Sequence, residues 1–232
     1  MNTLSSIINS VMLCFIAMLV PLQSIAQLSS SRTDAPIKIP RITSPVKLDG
    51  LSDEPAWEEI KPLPIRMRRP NFDSEPTQRT EIRIGYDDNY FYAAGRFYDS
   101  EPDRIQTISL ERDKGWTWAT DAMGIIIDTF NDNENALIFV TTPEGTRTDL
   151  SVQNDAESGT NKSWNTFWDA KTVQNQKGWF AEVRIPFSSL RFEENEGQTV
   201  MGLTAYRLIA RTNEIDICLL YTSDAADESV GV

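Results

Sequence analysis

From residue 37 onward, apolar residues recur at every second position in short stretches separated by Gly, Pro, Asn and Asp, the pattern of strands and turns rather than of helices. In Thr80–Tyr86 the side chains of Ile82, Ile84 and Tyr86 fall on one face, and Asp87-Asp88-Asn89 turns the chain into Tyr90–Tyr98, so a hairpin is expected. A second hairpin is expected between residues 122–128 and 137–141 across the polar loop 131–135, and a third between 168–173 and 178–185 across 174–177. Residues 200–209 supply a further strand. Turns at this density predict an all-β fold, an antiparallel β-sandwich built from two packed sheets. The one expected helix is short, residues 53–59, with acids in its first turn and Trp57 as its anchor in the core. No internal repeat of fixed period is present.

The two ends depart from this pattern. Residues 1–26 hold an apolar run from Val11 to Val20, then Pro21 and Ser24-Ile25-Ala26, and are expected to be a secretory signal peptide cleaved before Gln27. The run is about half the ~20 residues of a membrane-spanning helix; no Lys or Arg precedes Arg32. Residues 27–36 read as a flexible leader, and the domain is expected over 37–217. The string from Cys218 to Glu228 resembles the translation of a transposase-type sequencing adapter. Residues 218–232 are therefore expected to be a non-native tail, with the natural chain continuing beyond Ile217.

Acidic residues outnumber basic ones by 34 to 22, for a formal net charge of −12. Such a chain is repelled by nucleic acid, which is excluded as a partner, and adsorbs poorly to anionic lipid. The two cysteines are Cys14, in the expected signal, and Cys218, in the expected tail, so the domain is expected to carry no disulfide. The absence of histidine excludes a Ser-His-Asp triad and histidine-ligated zinc. Catalysis, if any, would rest on carboxylates, lysine, tyrosine or a hard metal.

Four strings then stand in order along the chain: Leu48-Asp49-Gly50-Leu51-Ser52-Asp53-Glu54-Pro55-Ala56-Trp57, Tyr86-Asp87-Asp88-Asn89-Tyr90-Phe91-Tyr92, Trp118-Ala119-Thr120-Asp121, and Gly178-Trp179-Phe180-Ala181-Glu182-Val183-Arg184-Ile185-Pro186-Phe187. Together they resemble the family 9 carbohydrate-binding-like domain across essentially all of residues 37–215. The continuation to Phe192 is similar to the version that opens large bacterial proteins with a C-terminal region resembling an outer-membrane β-barrel. The resemblance implies a jelly-roll-like form of the sandwich and a noncatalytic glycan-binding module in the periplasm or at the outer-membrane surface, linked to polysaccharide use. Its partners would be an oligosaccharide and the C-terminal region of the same chain.

Sugar rings stack their apolar faces on exposed aromatics while hydroxyls meet fixed polar groups. The resemblance places Trp118 as one wall of a sugar slot, with Trp116 and Asp121 beside it. It also marks two departures: a sugar-contacting glutamate of those modules falls on Gly124, and an arginine of the next strand falls near Val140. Trp164, Phe167 and Trp168 either extend a glycan platform or staple a long loop. Related modules hold calcium, and Asp87-Asp88-Asn89 and Asn131-Asp132-Asn133-Glu134 offer hard oxygen ligands, although both are also ordinary turn sequences. Two rival functions follow from the same residues. One is a structural or interaction domain that has lost its sugar site, as Gly124 and Val140 suggest; the other is a carboxylate glycoside hydrolase, for which no acid and base pair stands out.

Overall fold

The computed structural model describes residues 37–114, 117–154, 159–192 and 199–222. The expected signal peptide and leader, Trp116 and residues 223–232 lie outside them. The three expected hairpins are present: β2 (Thr80–Tyr86) with β3 (Tyr90–Tyr98), β4 (Ala122–Asp128) with β5 (Ala136–Thr141), and β8 (Asp169–Asn175) with β9 (Gly178–Pro186). The further expected strand is β10 (Met201–Ile209). Alternation alone did not mark β1 (Arg66–Arg69), β6 (Arg147–Val152), β7 (Thr160–Asn161) or β11 (Glu214–Thr222). β1 is three-quarters arginine and β6 carries an inward aspartate, so neither shows a clean apolar face.

These strands form two antiparallel sheets, one of order β1-β11-β10-β4-β5-β6-β7 and one of order β2-β3-β9-β8. Ile82, Ile84, Phe97, Trp179 and Ile185 of the smaller sheet face Met123, Ile125, Phe139 and Leu203 of the larger one, and all are buried. The fold class is the expected sandwich.

The outer face of the smaller sheet is covered as well. Ile42, Ala56, Trp57 and Ile60 pack on Tyr92 and Ala94 of β3, and the chain enters through a parallel bridge between Arg41 and Tyr86. The helix α1 (Pro55–Glu58) is shorter than expected, starting at a proline that suits its first turn. Trp57 is fully buried, as expected. Covered on both faces, β3 and β9 read as near-continuous apolar runs.

β11 pairs with β10 through to Thr222↔Met201, so the pairing runs past Ile217 into the residues expected as tail, and Cys218 is buried between the sheets. The run Cys218-Leu219-Leu220-Tyr221-Thr222 is apolar enough to serve as a strand, so main-chain pairing extends across it.

At one end of the sandwich an arginine bolts the two sheets together. Arg207 of β10 is fully buried, and its Nη1 donates to the Tyr98 carbonyl at 3.0 Å, to Thr80 Oγ1 at 3.0 Å and to the Arg79 carbonyl at 3.4 Å. Its Nη2 lies 3.5 Å from Asp99 Oδ2, and Arg211 forks onto the same carboxylate at 2.7 and 2.8 Å. Asp121, Glu214 and Asp216 complete the buried group. Glu214 accepts from the Thr77 amide and hydroxyl at 2.8 and 2.6 Å.

Candidate functional site

Trp118 stands at the tip of a tight turn. The Thr120 amide donates to the Thr117 carbonyl at 3.2 Å, and the Ala119 amide to Thr117 Oγ1 at 3.2 Å, so residues 117–120 reverse direction with the indole thrown outward. The side chain is 63 % exposed. The Arg69 guanidinium lies over the ring, 4.6 Å from its centroid, and its Nη2 donates to Asn213 Oδ1 at 2.7 Å. The arginine backs the indole by a cation–π contact, which fixes the ring and leaves it open to solvent beside two polar side chains.

Asp121, expected next to Trp118 as a sugar contact, is corrected. The turn carries it inward, where it is fully buried and accepts the Ala210 amide at 2.9 Å. Burial pushes its carboxyl above the ordinary aspartate range, against that hydrogen bond and the charges of Arg207 and Arg211. A sugar hydroxyl has no access to it.

The two departures noted at Gly124 and Val140 form a single feature. On the outer face of the larger sheet the ladder sets Tyr206, Gly124 and Val140 side by side. A Cβ placed on Gly124 would fall 2.0 Å from Tyr206 Cε1, so the tyrosine ring occupies the space of the missing side chain. Polar groups expected from the resemblance are replaced here by an aromatic ring and an aliphatic surface.

Trp164, Phe167 and Trp168 belong to a strap that crosses the opposite edge of the larger sheet. Buried Asp149 of β6 ties it down. Its Oδ2 accepts the Thr166 amide at 2.7 Å, and its Oδ1 accepts Trp168 Nε1 at 3.2 Å and Arg112 Nη2 at 2.5 Å. Trp168, read in the sequence as either platform or staple and named among the candidate glycan contacts, packs as a staple: it is buried and meets Phe139 edge-on at 5.5 Å. Trp164 is half-buried against the same phenylalanine at 6.0 Å and presents its remaining surface to a groove of about 460 Å³. Two tryptophans staple the strap, and Phe167 between them is 87 % exposed.

The acidic loops use their oxygens internally. Asp87 Oδ1 accepts the Asn89 and Tyr90 amides, both at 2.8 Å, and its Oδ2 accepts the Tyr92 hydroxyl at 2.8 Å. Asp132 holds the Glu134 and Asn135 amides in the same way. A closer carboxylate group, not singled out in the sequence, is Asp49, Glu54 and Glu182, with one oxygen from each within 4.8 Å of the others. Glu182 Oε2 accepts the Asp49 and Gly50 amides at 2.9 and 2.8 Å, and Oε1 accepts Trp57 Nε1 at 2.9 Å. Asp49 is taken by the Leu51 amide and by Lys47, which holds its carboxyl below the ordinary aspartate range.

Within this group only Glu54 Oε2 is buried without a hydrogen-bond partner. Calcium takes six to eight oxygens, and the remaining carboxylate oxygens of this group already face protein N–H donors. EDTA is expected to leave the thermal midpoint unchanged in scanning fluorimetry. Loss of a calcium ion held at 100-fold above its Kd would instead lower Tm by roughly 5–10 °C.

A family model described as carbohydrate family 9 binding domain-like matches residues 48–228. No curated protein sequence matches the chain. Solved structures share the fold at low identity. A family 9 carbohydrate-binding module from Caldicellulosiruptor kristjanssonii in complex with glucose is 17% identical, with a TM-score of 0.55, over 78% of this chain and 84% of that one. A family 9 module of that organism in complex with cellotriose is 16% identical, with a TM-score of 0.51, over 79% and 83%. A crystal structure from Bacteroides uniformis ATCC 8492 is 10% identical, with a TM-score of 0.60, over 84% and 92%.

Proposed function

This chain belongs to the carbohydrate family 9 binding domain-like family, and we propose that it is an exported, noncatalytic module that binds carbohydrate at Trp118. The exposed indole backed by Arg69 carries this reading. A fixed aromatic face with solvent on one side is what the C–H face of a sugar ring stacks on, and Arg69 and Asn213 offer donors and acceptors beside it. The solved relatives holding glucose and cellotriose support the ligand class. The apolar run before Gln27 supports export, to the periplasm or the outer-membrane surface.

A binding role also suits the carboxylates better than hydrolysis does. Glycosidases hold two carboxyls either side of the scissile bond. Of the two grooves flanking the strap, one has no carboxylate in its wall and the other has only Asp169. Beside Trp118 the nearest acid in sequence, Asp121, is sealed in the core.

A second reading is favoured by Gly124 and Tyr206: the fold kept, the sugar site lost, and the domain serving as an interaction module for the rest of its chain. Titration of the exported protein, beginning at Gln27, with glucose and cellotriose separates the two. Saturable quenching of tryptophan fluorescence is expected, with Trp118→Ala weakening affinity at least 10-fold, about 1.4 kcal/mol. Because Trp118 is largely exposed, this variant is expected to fold. Unchanged affinity in the variant would overturn the placement, and no saturable change in the folded wild type would favour the interaction module.

A further inference from the structure

The strap leaves an unexplained feature. Phe167 is the most exposed of the large apolar side chains described, yet the residues around it are fixed. Thr166 and Trp168 are tied to Asp149, and the Phe167 carbonyl accepts Ser189 Oγ at 2.7 Å. Exposing a phenyl ring on a rigid mount contributes nothing to folding, since an exposed ring buries no surface.

The ring lines one of two grooves that adjoin at the strap. The first, about 460 Å³, has Phe130 and Trp164 as apolar walls, with Gln153, Asn165, Ser189 and Arg191 around them. The second, about 710 Å³, is lined by Phe167 itself with Tyr90, Arg112, Arg147 and Asp169. Asn165 and Thr166 belong to both, which is where the grooves adjoin. Each volume lies within the range of about 300–1,000 Å³ typical of small-molecule sites. Aromatic faces alternating with amides and hydroxyls provide the chemistry that sugar rings require.

Charge narrows the ligand. Two of the three guanidiniums in these walls are already paired, Arg112 with Asp149 at 2.5 Å and Arg147 with Asp169 at 3.7 Å, while the third, Arg191, stands exposed in the wall of the first groove. An exposed guanidinium is the side chain best shaped to receive a carboxylate, so Arg191 suits a carboxylated ligand.

We infer that the Phe167 strap is a second glycan-binding surface, which takes an acidic, uronate-bearing oligosaccharide across Phe167 and along both grooves. This rests on the carbohydrate-binding reading but not on the Trp118 site. Arg69 under Trp118 lies in β1 and the strap is tied to β6, five strand spacings apart in the larger sheet, or about 24 Å at ~4.8 Å per strand. Neither site shares a residue with the other.

The test is calorimetric titration of the wild type, Phe167→Ala, Arg191→Gln and Trp118→Ala with hexamers of galacturonate and of mannuronate, with cellohexaose as the neutral control. At least one acidic hexamer is expected to bind the wild type more tightly than cellohexaose, and less tightly as salt is raised. Phe167→Ala should weaken it at least 10-fold and Arg191→Gln several-fold, while Trp118→Ala leaves it unchanged. Phe167 is nearly free of contacts, so its variant keeps the fold, as circular dichroism would verify. Acidic binding indifferent to Phe167→Ala, or no acidic binding while cellotriose still binds at Trp118, overturns the inference alone. A folded wild type that binds no glycan of any kind overturns it together with the proposed function.

Discussion

Arg207→Leu is expected to be among the most damaging single changes in the molecule, costing about 3–5 kcal/mol and lowering Tm by roughly 6–20 °C. Leucine fills much of the volume but leaves Asp99, Asp121, Glu214 and Asp216 facing one another with Arg211 as the remaining cation. It also takes the charged donor away from the Tyr98 carbonyl and Thr80 hydroxyl of the opposite sheet. Burial draws Arg207 down to about 10, against the pull of Asp121 and Asp99, so it is charged at neutral pH.

The same network gives the fold a pH dependence. Burial, reinforced by the neighbouring Glu214, pushes the Asp216 carboxyl up to about 7. A carboxyl raised in the folded state contributes stability that is fully present below its unfolded pKa of about 3.9 and is lost as pH rises through about 7. Wild-type Tm is therefore expected to fall between pH 5 and pH 8, and to fall more steeply in Arg207→Leu, where the cation opposing the new charge is gone. Urea titrations and thermal scans at both pH values measure this. A variant within 1 kcal/mol of wild type at pH 7 (about 1 kcal/mol being an ordinary surface-scale effect) would show that the bolt is dispensable.

The second large effect is Glu182→Ala. The Leu48-Asp49-Gly50 turn and the Trp57 indole are both moored to this one carboxylate on β9, through three N–H donors. Gly50 is part of the mooring, because its φ of +93° suits glycine and a Cβ there would press at 3.0 Å on the Thr172 backbone. Burial raises the Glu182 carboxyl above the ordinary glutamate range despite those donors. Alanine strands three donors at about 1–3 kcal/mol each, not fully additive, for a total of roughly 3–5 kcal/mol. Glu182→Gln, which keeps one acceptor oxygen, is expected to lose roughly half of that. Equal Tm values for both variants would mean that the charge, not the hydrogen-bond geometry, is what matters.

Much of the sandwich was legible because hairpin strands with one buried face alternate visibly. Ile82, Ile84 and Tyr86 announce β2, and the turn Asp87-Asp88-Asn89 announces its partner. β6 was not legible: Asp149, an inward carboxylate, breaks its apolar face and has meaning only through the strap that it binds from far along the chain. The site was legible in part. Trp118 is exposed, whereas Asp121 is close in sequence but turned inward by the 117–120 turn. Periodicity cannot tell which member of an aromatic cluster faces out, so Phe167 and its two stapling tryptophans looked alike until Asp149 was placed. Nor could it show that Gly124 and Val140 are neighbours with Tyr206 beside them, since that is a property of register.

Calorimetric titration of the wild type with cellotriose, followed by chromatography of the sugar recovered from the cell, tests binding and the absence of hydrolysis together. The account predicts saturable heat with cellotriose recovered intact. No heat from a folded protein, or recovery of glucose and cellobiose, would contradict it.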